Sequence, residues 1–154
     1  MSQSNKAFER VAINLSEGAA PRPLGAYSHA VRVGNLVFLA GQGARDACTG
    51  KEAGVVLDSD GKVTSYDIVV QTRAVIENMK AVLAACGCTL QDVVDVCVFL
   101  KDMGDFPAYN QVYAQYFTFD CPPARTTVQV ADLPGDNFIE MKVIAHHENR
   151  EGRA

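Results

Sequence analysis

No stretch of this chain approaches the roughly 20 consecutive apolar residues that a membrane-spanning helix needs. The first ten residues are polar and hold no apolar signal core, so a soluble, cytoplasmic protein with no membrane partner is expected. Positive charge is scarce as well: 14 Lys and Arg stand against 18 Asp and Glu, a formal net charge of −4. Binding to a phosphate backbone calls for a clustered basic face, so no nucleic-acid partner is expected. A small anionic substrate is compatible with this charge only if a local donor, such as one well-placed arginine, receives it.

The cysteines form no framework. There are five (Cys48, Cys86, Cys88, Cys97, Cys121), an odd number without repeated spacing, and most lie in apolar runs where a thiol behaves as a small hydrophobe. That usage points to a reducing compartment. Cys86-Gly87-Cys88 has no second Cys/His pair at ligand spacing and reads as buried thiols around a helix stop, while His146 and His147 point to opposite sides of a strand end. Gly41-Gln42-Gly43 follows a strand, but position 46 is Asp46 and no helix starts there, so the dinucleotide fingerprint fails. No nucleophile elbow, internal repeat or low-complexity segment is present, and neither cofactor nor metal is expected.

What remains is a chain of 154 residues, 48% hydrophobic and 21% charged, which fits one domain over residues 1–154 with flexible ends at 1–7 and 148–154. Alternating Val11, Ile13 and Leu15 predict a first strand, broken by the Gly- and Pro-bearing loop 16–25. Strands over 29–33 and 36–40 flank Gly34-Asn35, a hairpin turn. Residues 41–57 read as irregular, and Asp58-Ser59-Asp60-Gly61 as a second tight turn. Helical spacing of Ile68, Val69, Val75, Ile76, Met79, Val82, Leu83 and Cys86 predicts a helix over 67–86, stopped by Gly87. Residues 93–100 are apolar on both faces, as in a central strand. Asp105 is placed to cap a second helix with Pro107 in its first turn and an aromatic stripe (Tyr109, Tyr113, Tyr116, Phe117), ended by Pro122-Pro123. Strands over 124–131 and 138–146 complete an α+β layer of one six-stranded sheet with two helices on one face. The second face needs a cover, and another copy of the chain is the simplest one.

Strand alternation selects the candidate chemistry. Ile139, Met141, Val143 and Ala145 form one apolar set, which sends Glu140 and Lys142 to the other side; Ala124, Val128 and Val130 form another, which sends Arg125, Thr127 and Gln129 away from them. On that pattern Arg125 and Glu140 share the face the helices leave open. A simple antiparallel hairpin centred on Pro134-Gly135 sets Glu140 opposite Gln129, roughly 13 Å from Arg125 at ~3.3 Å per residue. One site containing both then needs an extended ligand or a group from a neighbouring subunit. Arg125 offers a planar donor fork that matches a carboxylate, and Glu140 is able to orient or deprotonate a water. An ordinary ion pair is the plainer role for either.

The segments Leu24-Gly25-Ala26-Tyr27-Ser28-His29-Ala30, Gly34-Asn35, Ala40-Gly41-Gln42, Gln71-Thr72-Arg73 with Glu77-Asn78, Phe99-Leu100-Lys101-Asp102-Met103, Tyr109-Asn110-Gln111-Val112-Tyr113, Pro123-Ala124-Arg125 and Ile139-Glu140-Met141 together resemble the Rid (YjgF) family over about residues 22–145. The resemblance implies a chorismate-mutase-like α+β fold with a mixed sheet, a homotrimer with sites between subunits, and hydrolysis of enamines or imines to a keto compound and ammonia without metal or cofactor. It assigns the substrate carboxylate to Arg125 and the water to Glu140. Tyr27, Ser28 and Asn110 would line the pocket, with the backbone at Thr127 meeting the substrate nitrogen and Gly41 approaching it closely. The run Arg125-Thr126-Thr127, His29 and the long segment 43–64 look more like the branch that converts 2-aminomuconate to 4-oxalocrotonate and ammonia in breakdown of tryptophan-derived or nitroaromatic compounds. A dicarboxylate of that kind needs a second donor at its far end, for which His29, Lys142 or Arg45 is the candidate. A general 2-imino-acid deaminase, a non-catalytic ligand-binding or chaperone-like trimer and a ribonuclease are the competing readings.

Overall fold

The structure, a computed structural model, describes residues 9–148; the flexible ends expected at 1–7 and 148–154 lie outside these except for Glu148. Strands β1 (Arg10–Ile13), β2 (Ala30–Val33) and β3 (Leu36–Leu39) form an antiparallel meander. At the turn between β2 and β3 only Gly34 takes a positive φ, 57°, which a side chain at that position would resist. A ribbon of β4 (Val55–Leu57) and β5 (Val63–Tyr66) follows, closed over Gly61 and tied by the Asp58 carboxylate, which accepts from the amides of Asp60 and Lys62. The strand β4 lies in a segment whose sequence reads as irregular, because three residues are too few to display a period.

Helix α1 (Ile68–Ala85) begins where Asp67 accepts hydrogen bonds from the amides of Val69 and Val70, at 2.8 and 3.2 Å. It stops in a Schellman arrangement: the Cys88 amide donates to Leu83 and the Gly87 amide to Ala84, with Gly87 at φ 72°. Strand β6 (Val93–Leu100) leads through a short 3₁₀ turn into helix α2 (Phe106–Tyr116), and then come β7 (Ala124–Gln129) and β8 (Ile139–His146). Asp105 does not cap α2 with its side chain, as its position suggests; its carboxylate accepts from the Tyr66 hydroxyl at 3.0 Å, and Asp102 caps the preceding turn. The helix also ends at Tyr116, ahead of Pro122-Pro123, which instead lead into β7.

The sheet order is β1-β2-β3-β8-β6-β7. This corrects the hairpin expected of the last two strands: β7 runs parallel to β6 at the sheet edge, and β8 inserts between β3 and β6. The α2 connection makes that parallel pairing sterically natural, because adjacent parallel strands need a long crossover. One face of the sheet is covered by the helices. There Val75, Ile76, Met79, Val82 and Leu83 of α1 are buried against Val96, Val98 and Leu100 of β6 and Ile139, Met141, Val143 and Ala145 of β8. Full burial of each large side chain stabilises by about 1.5–3 kcal/mol, so this layer sets the fold. The other face has no cover within the chain and presents Leu36, Phe38, Val94 and Val128, each more than a third exposed.

Candidate active site

Glu140 sits on β8 between two core residues, Ile139 and Met141, and alternation turns it to the open face. Its carboxyl lies across Gly41, just after β3, where any Cβ would run into Glu140 Oε1. The Gln42 amide donates to Met141 and the Met141 amide to Gln42, at 2.8 and 3.0 Å, which locks Gly41 beside it. A cavity of about 220 Å³ opens over the pair, lined also by Tyr27, Ala40, Gly43, Arg45 and Asn137. Burial alone pushes the Glu140 carboxyl above its ordinary value, with no cation acting on it. A carboxyl so placed is a stronger base than a free carboxylate and is suited to take a proton from water and give it back.

Arg125 is elsewhere. It pairs with Val96 and Thr127 with Val98, two residues wholly buried under the helices, so Arg125 and Thr127 face the helices. The Arg125 guanidinium stacks over the rings of Tyr113, Tyr109 and Phe106, at 4.5, 5.6 and 6.0 Å from their centroids. The Tyr109 hydroxyl makes a short hydrogen bond to Thr127. Among the described residues no carboxylate pairs with Arg125. Its N–H groups lie in the guanidinium plane and no hydrogen-bond acceptor among the described residues engages them, so the donor fork is free for an anion. Asn110, half-buried, lies on the same helix between Tyr109 and Tyr113.

Arg125 and Glu140 therefore occupy opposite faces of one sheet, not the same face. The expectation failed because the apolar residues of β7 do not mark its inner face: Ala124 and Val128 look outward and are exposed, while polar Arg125 and Thr127 pack under aromatic α2. The chain thus holds two separate groups of candidates, Glu140 with Tyr27 and Gly41, and Arg125 with Thr127 and Asn110.

The remaining candidates separate. His29 is buried with both ring nitrogens in use: Nδ1 accepts from the Leu15 amide at 3.3 Å and Nε2 donates to the Pro21 carbonyl at 3.1 Å. It clasps the 14–21 loop to β2 and has no donor left for a substrate. Ser28 and Lys142 line an adjoining hollow with Phe38 and Val31, which shares Tyr27 and Ala40 with the Glu140 cavity. Arg45 lines the Glu140 cavity, as does His29. Cys86 and Cys88 are buried, and burial raises the Cys86 thiol to about 11, which leaves it unreactive. Among the described residues no His, Cys, Asp or Glu cluster is able to hold a metal, and no helix is long and apolar enough to cross a membrane.

Three polar residues that the sequence did not single out for a role hold the cavity wall. Asn137 accepts from the Ala44 amide at 2.7 Å and donates to Pro134; Asn78 donates to the carbonyls of Gly43 and Arg45; Gln71, fully buried, bridges Asp136 and Phe138. Polar residues inside an otherwise apolar helical stripe were the available signal for Gln71 and Asn78.

A mixed sheet with two helices on one face and a carboxyl cavity on the other defines an α+β protein of chorismate-mutase-like architecture. The chain belongs to the Rid (YjgF, L-PSP) family: the family model described as Endoribonuclease L-PSP matches residues 17–147. It is 46% identical over 129 residues to a RutC family protein of Pyrococcus horikoshii, covering 84% of this chain and 93% of that one. It is 38% identical over 130 residues to the 2-iminobutanoate/2-iminopropanoate deaminase of Dermatophagoides farinae, covering 84% and 92%. Among solved structures it resembles TdcF of E. coli with bound serine, with a TM-score of 0.76, 32% identity and coverage of 90% and 99%.

Proposed function

We propose that this chain is a cytoplasmic hydrolytic deaminase of 2-imino acids and their enamine tautomers, acting as a homotrimer with sites between subunits and without cofactor. The observation that carries it is Glu140: a half-buried carboxyl beneath Gly41, raised by burial with no cation acting on it and open to a cavity. The free donor fork of Arg125 supplies what that half-site lacks, and a neighbouring copy brings the two together because they lie on opposite faces of one sheet. The apolar open face, with Phe38, Leu36 and Val128, suits the contact between copies.

Arg125 of one subunit binds the substrate carboxylate bidentately, setting the C=N carbon against the Glu140 cavity of the next. Water adds to that carbon while Glu140 takes one of its protons and passes it to the imine nitrogen, giving a neutral carbinolamine. Glu140 then takes the carbinolamine hydroxyl proton and delivers it to the amine nitrogen as the C–N bond breaks, so that keto acid and ammonia leave and the carboxylate is regenerated. The imine is already electrophilic, so positioning and one proton shuttle suffice. The deaminase name of the mite relative agrees with this chemistry. An RNA substrate is disfavoured by the net charge of −4.

The finer reading, 2-aminomuconate as the substrate in aromatic catabolism, rests on the Arg125-Thr126-Thr127 run and the long segment 43–64. Imines of alanine and 2-aminobutanoate and 2-aminomuconate itself, each generated enzymatically in situ, decide between the two by ammonia release. Arg125→Ala is expected to cost about 100-fold or more in kcat/KM on any true substrate, as losing a bidentate charge-assisted anchor does. Release no faster than the uncatalysed rate on every imine leaves the binding or chaperone-like reading in its place.

A further inference from the structure

The segment after β3 is built as a trough. Gln42 and Ala44 turn inward and are buried, while Gly41, Gly43 and Arg45 line the Glu140 cavity. Two of the four lining residues in 41–45, which include Gln42, have no side chain, and one added at either would crowd the wall: a Cβ on Gly41 meets Glu140, and a Cβ on Gly43 would lie 2.6 Å from Asn137 Oδ1. At Gly41 and Gly43 the trough is therefore lined by backbone, with Gln42 between them. Extended chain covers ~3.3 Å per residue, so the α-carbons of Gly41 and Arg45 are separated by roughly 13 Å at most.

The wall is rigid. Asn78 on α1 donates to the carbonyls of Gly43 and Arg45 at 2.9 and 2.8 Å, the Ala44 amide donates to Asn137, and Arg45 bridges to Glu52 through the backbone. The side chain of Arg45 spends one N–H on the Arg22 carbonyl and pairs with no carboxylate among the described residues. A guanidinium has five N–H donors, so most remain available. Arg45 does not act on the Glu140 carboxyl, whose rise comes from burial alone. The cavity thus has an acid at one end and an unpaired cation at the other.

We propose that Arg45 receives a carboxylate carried at the end of the substrate remote from the reacting carbon, so that the site selects diacids over monoacids of the same length. This rests on the deaminase reading of the Glu140 cavity. Arg125 holds the carboxylate next to the C=N carbon, and Arg45 holds the distal one. Of the other two donors considered from sequence, His29 lines the cavity but has both ring nitrogens engaged, and Lys142 lines the adjoining hollow rather than the cavity itself, the two sharing Tyr27 and Ala40.

Two measurements test it. Calorimetric binding of 2-oxoadipate and 2-oxohexanoate, equal in length and differing only in the terminal carboxylate, is compared for the wild type, Arg45→Gln and Arg45→Lys. Wild type should bind the diacid about tenfold or more tighter. Arg45→Gln should bring the two affinities within about twofold, and Arg45→Lys should retain part of the preference, since the charge stays and the fork is lost. Equal affinities in the wild type, or an equal loss for both ligands in Arg45→Gln, overturn the proposal; the second result assigns Arg45 to holding the loop through Arg22. The imines made in situ from 2-aminoadipate and norleucine then give the same comparison in kcat/KM. A diacid preference in binding without hydrolysis of either imine supports the subsite and removes the deaminase reading. Hydrolysis with no diacid preference does the reverse.

Discussion

Glu140 is held in a state its chemistry requires and its fold resists. Burial raises its carboxyl above 4.5, its ordinary value, so the unfolded chain ionises first and folding takes up a proton between the two values. The contribution of this group to stability is therefore full below about pH 4.5 and is lost as pH rises through the folded value. Glu140→Gln should raise Tm at pH 7 by a margin on the order of 2 °C while abolishing turnover. The gain should shrink toward zero when melting is repeated below pH 4.5. A constant difference across that range would mean that packing, not ionisation, separates the two proteins. Arg125 is the complementary case, a cation stabilised by the faces of Tyr113, Tyr109 and Phe106 with its edge donors left for a ligand. Both residues were legible as candidates in the sequence, because a charged residue in a strand of alternating apolar partners has few structural uses. Of their surroundings, Gly41 was reached through the family resemblance, whereas Asn137 was not, since it holds the cavity wall from a loop through a contact distant in sequence.

At the scale of elements, α1 and β6 follow their sequence almost residue for residue. Asp67 and Gly87 bracket the helix as its spacing requires, and residues 93–100 form the strand read from their two-sided apolarity. Removal of the Asp67 cap by Asp67→Ala should cost about 1 kcal/mol by leaving the Val69 and Val70 amides without their acceptor. Urea denaturation with an unchanged m-value would register that loss; a changed m-value would point instead to altered compactness. The edge strand β7 behaved differently. Its alternation correctly separated Arg125 and Thr127 from Ala124 and Val128, but which set faces the helices was decided by α2, whose rings stack on the guanidinium. Hydrophobicity identifies the inner face only when one face is apolar, and here the open face is apolar too.

For the whole molecule, opposite-face placement turns one question into an experiment on mixtures. Arg125→Ala and Glu140→Gln chains are each expected to be nearly inactive alone. Refolded together in equal amounts, random assembly leaves about a quarter of the intersubunit sites with both residues intact, and activity should return to about that fraction of wild type. No recovery above the separate parents would place the complete site within one chain. The sequence by itself determined the local elements, the candidate residues and the family, because these depend on periodicity, caps and motifs that lie close together along the chain. It also fixed the absence of a long apolar span and of a basic surplus, which are matters of composition. Only the tertiary structure decided that β8 inserts between β3 and β6, that β7 joins in parallel at the edge, and hence that Arg125 and Glu140 look in opposite directions. Strand order and face are set by long-range pairing and by what packs above each strand, and no local pattern carries that information.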